Sequence, residues 1–289
     1  AVYNMVMQGI GALVNIILDP ILIFGFFGFP AMGILGAAIA TVSGQILAMV
    51  LGAWIIHKQI PFIHLGVKGF SFSWDICRQI YSVGFPAIIM QSVASVMTLG
   101  MNMILLPYSE LAISVYSVYA KLQQFIFMPV LGMNSALIAI VGYNFGAQKK
   151  QRINQAARYS LIAAVLIMAL GTVLFQLAPK WLLGMFNASE EMLAIGIPAL
   201  KTISLSFVFA GVSIVLCSIF QALDDGMLSL WVSLGRQLIL VLPLAWLLSQ
   251  WGELNVLWLA FVISEGLCML FSIGAYRRVK LRQIDVLAD

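Results

Sequence analysis

Asn15, Asp19 and Pro20 stand in one apolar run, NIILDP, whose spacing gathers oxygen atoms in a single place. Residues four apart share a helical face, so a helix over this run puts the Asn15 amide and the Asp19 carboxylate side by side. Pro20 has no N–H to give the carbonyl of Ile16, which adds a third oxygen. A carboxylate at membrane depth is costly unless it meets a cation or takes up a proton. The cluster therefore predicts a site for Na⁺ or H⁺, and Thr41 on the following segment can add a hydroxyl ligand. The plain alternative puts Asp19 at the outer interface, solvated by water.

Arg236 and Glu265 are the other charges deep in apolar sequence. Arg236 lies about nine residues from one end of its run and Glu265 about eleven from the same end of the next, which places them at similar depth. They are expected to pair, because either charge buried alone costs far more than both together. Such a pair serves as a structural clamp or as part of a transport path. Lys121 and Lys201 are also deep in their runs and either line a cavity or reach back to the interface by tilting and snorkelling. With Gln91, Ser95, Asn102, Asn134 and Gln221 they make a sparse polar lining, and interhelical hydrogen bonding is the competing account of the uncharged members. Pro86, Pro129 and Pro198 fall inside long apolar runs, where each permits a kink, and methionines cluster around the first two.

No constellation for soluble catalysis is present. The sequence has no glycine-rich phosphate loop and no paired histidine ligands, and His57 and His64 fall together in one connector. The three cysteines share no metal-ligand spacing. An enzyme and a bound cofactor are therefore not expected.

The elements that hold these residues must be membrane helices. The chain is 62% apolar and 9% charged, and its mean hydropathy is +1.04. A span takes about 20 apolar residues, and no period of two suggests a barrel. The pattern predicts an all-α membrane protein of about eight helices, over Tyr3–Gly25, Gly33–His57, Asp75–Leu106, Leu111–Val141, Ile153–Leu177, Met192–Ala222, Met227–Leu248 and Val256–Tyr276. Basic residues gather in alternate connectors: Lys58, Lys68 and Arg78, then Lys149, Lys150, Arg152 and Arg158, then Arg277, Arg278, Lys280 and Arg282. Those connectors, and the C-terminus, are expected on the cytoplasmic side of the cell's inner (plasma) membrane. The net charge of +4 is thus a topology signal, with no nucleic-acid partner implied. The first helix is under way at Ala1, which reads as a truncated start. A weak internal repeat pairs the first two helices with the last two, aligning Gln45 with Glu265 and Lys58 with Arg278 in the same orientation.

In order and spacing, several stretches resemble the multidrug and toxic compound extrusion (MATE) family of cation-coupled exporters. They are residues 15–25 (NIILDPILIFG), residues 33–41 (GILGAAIAT), Gly84-Phe85-Pro86, residues 127–134 (FMPVLGMN), residues 142–147 (GYNFGA), and Arg236-Gln237 ahead of Pro243. The resemblance implies a twelve-helix transporter of two lobes related as parallel six-helix repeats. On that plan residues 1–57 are the last two helices of the first lobe, 58–75 the inter-lobe linker, 76–276 the complete second lobe and 277–289 a basic tail, with four opening helices missing. It also implies that Asn15, Asp19 and Thr41 match residues of the cation site, and that amphipathic organic cations leave in exchange for Na⁺ or H⁺. Gln91 and Ala94 stand where some relatives carry a second acid. A lipid-linked oligosaccharide flippase on a related plan and a non-transporting membrane scaffold are the rival readings.

Overall fold

In the computed structural model, residues 2–59 and 72–287 are described. They are helical throughout apart from turns, as lipid requires of a chain that must satisfy its own backbone. Lys68 and His64 lie outside the described residues, as does the Gln91 side chain. The chain divides into two compact units, Ala1–Trp74 and Asp75–Asp289.

The first unit is a pair of helices, α1 (Val2–Phe24) and α2 (Ile34–Gln59). The turn between them depends on Gly25, whose φ of 77° is left-handed and whose missing Cβ would meet Ala31 N and Phe29 O at 2.8 Å. The chain then doubles back, and Met32 N and Gly33 N donate to the carbonyls of Leu22 and Ile23 at 2.9 and 3.3 Å, closing the C-terminal end of α1. Without a hydrophobic force to join helices in lipid, close approach of small residues does so. A Cβ on Gly44 would come within 2.6 Å of the Gly11 carbonyl oxygen, and one on Gly11 within 3.2 Å of the Ala48 Cβ. Gly36 likewise rides on the Leu22 carbonyl.

The second unit comprises α3 (Trp74–Leu105), α4 (Glu110–Gly146), α5 (Lys150–Leu177), the short α6 (Pro179–Gly184), α7 (Glu190–Ser204), α8 (Phe207–Ala222), α9 (Gly226–Leu234), α10 (Val241–Ser249), the single turn α11 (Leu254–Leu257) and α12 (Leu259–Val279). Ser109 and Ser189 start α4 and α7 by accepting from the N–H groups of Ala112 and Met192 at 3.1 and 3.2 Å. The core is built on α8, which lies among α4, α5 and α12. Phe207 at its start meets the rings of Phe127 and Phe175 edge-on at 5.5 and 5.0 Å. Tyr119 does the same with Phe261 at 5.9 Å.

Among the described residues six helices are long and apolar enough to span a bilayer, and α7 with α8 makes a seventh. The 32-residue α3 is a further long rod, of which Ser92–Leu105 is apolar in the described part.

Four local expectations are corrected. The helix expected over Met192–Ala222 is broken at Leu205–Ser206 and bent by 46° there, seven residues beyond Pro198. The helix expected over Met227–Leu248 carries a π turn at Gly235–Ile239, in which Leu240 N reaches back five residues to Gly235 O at 3.0 Å. Pro243 follows and has no N–H for Ile239 O, so the widened turn falls where the α ladder is already interrupted. The helix expected to end at Val141 runs on to Gly146, with Asn144 buried in it and donating from Nδ2 to Ile140 O at 2.8 Å. The final helix runs past Tyr276 to Val279 and a second π turn at Lys280–Ile284.

Candidate functional site

In the first unit, the Gly11–Gly44 approach brings two polar faces into register. Asn15 is one turn beyond Gly11 and Thr41 almost one turn before Gly44. Asn15 Nδ2 donates to Thr41 Oγ1 across the helix pair at 3.3 Å and to Asp19 Oδ1 along α1 at 3.4 Å. Thr41 Oγ1 donates in turn to Ala37 O at 2.9 Å. The structure thus brings all three residues together. In this arrangement the amide of Asn15 solvates the carboxylate with its N–H₂ group, while its own oxygen points elsewhere. For a cation to join Asp19, the amide would turn over and present Oδ1, giving an oxygen-only donor set of the kind hard cations take. Groups of His, Cys, Asp and Glu able to hold a metal are absent among the described residues, so the chemistry is that of a single carboxylate.

In the second unit, Arg236 Nη1 lies 3.6 Å from Glu265 Oε1, with side chains 16% and 12% exposed. Arg236 sits inside the π turn, and Val232, just before it, accepts from Cys268 Sγ at 3.5 Å. Glu265 Oε2 is buried without a hydrogen-bond partner, as is the hydroxyl of Tyr119.

Among the described residues no hydrogen bond joins any two of Ser95, Asn102, Lys121, Asn134, Lys201 and Gln221. Asn102 and Asn134 each hold a buried, unpartnered Oδ1. Gln221 donates to Ser229 Oγ at 2.8 Å, tying α8 to α9. Lys121 is exposed, and its Nζ lies 5.9 Å from the ring centroid of Phe186 in the turn after α6, which is how a long cationic side chain relieves its depth.

Two polar residues that the sequence did not single out stand at the break between α7 and α8. Interrupting the ladder frees the carbonyls of the last turn of α7. Thr172 Oγ1 donates to Ser204 O at 2.9 Å, while Gln176 Nε2 reaches Lys201 O at 2.6 Å and Ser204 Oγ at 3.1 Å. Residues 172 and 176 share a face of α5, so α5 supplies the donors that water cannot supply inside a bilayer. The available sequence signal is a threonine and a glutamine four apart in a helix otherwise apolar over its second half.

These features sit in a chain whose relatives are known. Residues 86–247, just over half of the chain, match the MatE family. "Multidrug export protein MepA" of Staphylococcus saprophyticus is 24% identical over 258 residues, covering 89% of this chain and 56% of that protein. The MepA of Staphylococcus aureus MW2 is 24% identical over 256 residues, covering 89% and 55%. The chain therefore spans about half the length of the curated relatives it matches. Among solved structures, an outward-facing multidrug resistance MATE family transporter of the MOP superfamily superimposes with a TM-score of 0.83 at 22% identity, covering 98% of this chain and 62% of that one. A MOP superfamily transporter from Pyrococcus furiosus, described as having a binding pocket of reversed polarity that suggests a different function, gives 0.83 at 23% identity with the same coverage. A multi-pass helical membrane protein of this fold, matched over half its length by the family's own pattern, belongs to the MatE family of transporters, which are not enzymes.

Proposed function

We propose that this chain is part of a secondary multidrug exporter that expels amphipathic, cationic small molecules in exchange for Na⁺ or H⁺. The observation that carries the reading is the Asn15–Asp19–Thr41 contact. One acid, one amide and one hydroxyl meet across a tightly packed helix pair, and each can lend an oxygen to a cation. Binding of the cation to Asp19 would turn the Asn15 amide and loosen its bond to Thr41, so occupancy would be felt by both helices. The kinship with multidrug export proteins supports the efflux direction. In this reading residues 1–57 close the first lobe, 58–75 link the lobes, 76–276 form the second lobe, and the C-terminal basic tail lies in the cytoplasm. The first four helices of the first lobe are supplied from outside these residues. Arg236 and Glu265 hold the second lobe together, and the orphaned oxygens of Asn102 and Asn134 are acceptors for substrate.

The test is transport in proteoliposomes containing the full-length protein, loaded with a fluorescent organic cation. Movement driven by an imposed Na⁺ or pH gradient, and abolished by Asp19→Asn, is the expected result. Gradient-independent behaviour, or movement of a polyprenyl-linked sugar in place of the dye, would overturn it.

A further inference from the structure

Where α9 begins and α12 ends, the second unit forms a cleft of about 400 Å³, in the size range of small-ligand sites. Phe271, Gly274, Ala275, Arg278 and Arg282 follow one another at helical spacing along a single face of the last helix, and Leu228 and Asp225 form the opposite wall. The two ends of the cleft differ in character. Toward the middle of the helix it is apolar, and Phe271 there is 56% exposed, continuous with Leu270 at 63%. Toward the chain terminus it is basic, with Arg278 and Arg282 one turn apart. Neither arginine meets a carboxylate within 4.0 Å among the described residues, although Asp225 shares the lining. Asp225 is engaged otherwise, accepting from Leu228 N at 3.4 Å as the cap of α9. At Gly274 nothing stands within 4 Å of the place a Cβ would take, so the floor of the cleft is open.

From the apolar end and the arginine pair, we infer that this cleft is a binding site for an anionic phospholipid, an acyl chain lying over Gly274 and Phe271 and the phosphodiester between Arg278 and Arg282. Guanidinium groups one turn apart suit a phosphate through charge-assisted hydrogen bonds, and basic recesses between membrane helices take anionic headgroups for this reason. The lipid would join the base of α9 to α12. The assignment does not depend on what the chain transports.

The test is thermal unfolding of the full-length protein in nanodiscs of phosphatidylcholine, with and without phosphatidylglycerol, alongside native mass spectrometry of retained lipid. Phosphatidylglycerol is expected to raise Tm by about 3 °C or more and to remain bound as one copy. Gly274→Phe fills the cleft without altering charge and should abolish both effects, as should Arg278→Gln with Arg282→Gln. Arg277→Gln with Lys280→Gln removes the same charge outside the lining and should leave both effects in place. Inorganic phosphate added to phosphatidylcholine discs should not reproduce the shift; if it does, the site takes a free anion and the lipid assignment fails. A shift that survives Gly274→Phe, or is lost equally with Arg277→Gln and Lys280→Gln, would show general surface attraction and overturn the site.

Discussion

Arg236 and Glu265 face each other at 3.6 Å across two helices of the second unit, and the arginine comes from a π turn that interrupts its helix. A π turn inserts a residue's worth of rotation, so it decides which side chain is aimed at α12. The pair is nearly enclosed, and one glutamate oxygen has no other partner. Removing either charge alone strands the other.

Glu265→Leu alone and Arg236→Met alone are each expected to destabilise the second unit by about 3–5 kcal/mol, and the double substitution by much less. Thermal unfolding in detergent, arranged as a double-mutant cycle, measures the coupling. Independent, additive losses would mean that the two groups are not energetically joined.

At the Asn15–Asp19–Thr41 contact the expected separation is between function and folding. Asp19 is only partly buried, and among the described residues its one side-chain hydrogen bond is the 3.4 Å contact with Asn15. Asp19→Asn should therefore leave expression and unfolding temperature close to the parent while removing the response of dye efflux to an ion gradient. Thr41→Ala should weaken that response without abolishing it, because the carboxylate remains. Full gradient-driven efflux in Asp19→Asn would end the assignment.

Gly44 places that site without touching an ion. Its missing Cβ would stand 2.6 Å from the Gly11 carbonyl and 3.5 Å from the Asn15 Cβ. Gly44→Ala is expected to spread α1 from α2, break the bond from Asn15 to Thr41, and cost about 1–3 kcal/mol as overpacking. Thermal unfolding measures that cost, and an unchanged Tm would mean that the helix pair does not rely on this approach. Gly28→Ala, where no neighbour lies within 4 Å, gives a contrast at a left-handed turn position that strains the backbone without separating the helices.

How much was legible in the residues follows from which forces act locally. The Asn15–Asp19 relation is a matter of helical spacing within one segment, and Thr41 lies on the next helix of a hairpin, so the cluster could be read before any fold was known. The depth of Arg236 and Glu265 was likewise a count from the ends of two apolar runs. What the sequence concealed was tertiary. Gly11, Gly36 and Gly44 look like ordinary apolar filler until the backbones they bring together are seen. The π turn at Gly235–Ile239 has a nearby proline as its cue, but the proline stands downstream of the distortion. The break at Leu205–Ser206 has no proline or glycine in it at all, and the side chains that bond its freed carbonyls stand on another helix.

Those donors yield the last prediction. A helix broken inside a membrane exposes carbonyls that nothing in lipid can satisfy, so the break persists only where neighbours supply donors. Thr172 and Gln176 do so for Ser204 and Lys201, and Ser206 Oγ closes on Ile203 O at 2.7 Å. Thr172→Val with Gln176→Leu removes two donors and leaves the shape of α5 almost unchanged. The ladder through residues 204–206 should then lose its lateral support, at a cost of about 1–3 kcal/mol centred on Ser204 O, since Lys201 O keeps its bond from the Ser204 hydroxyl at 3.0 Å. Backbone hydrogen exchange at residues 205–210 is the direct readout, and faster exchange confined to that stretch is the expected outcome. Unchanged exchange there, with unchanged unfolding temperature, would mean that the bend is set by packing around Phe207 and not by its hydrogen-bond donors.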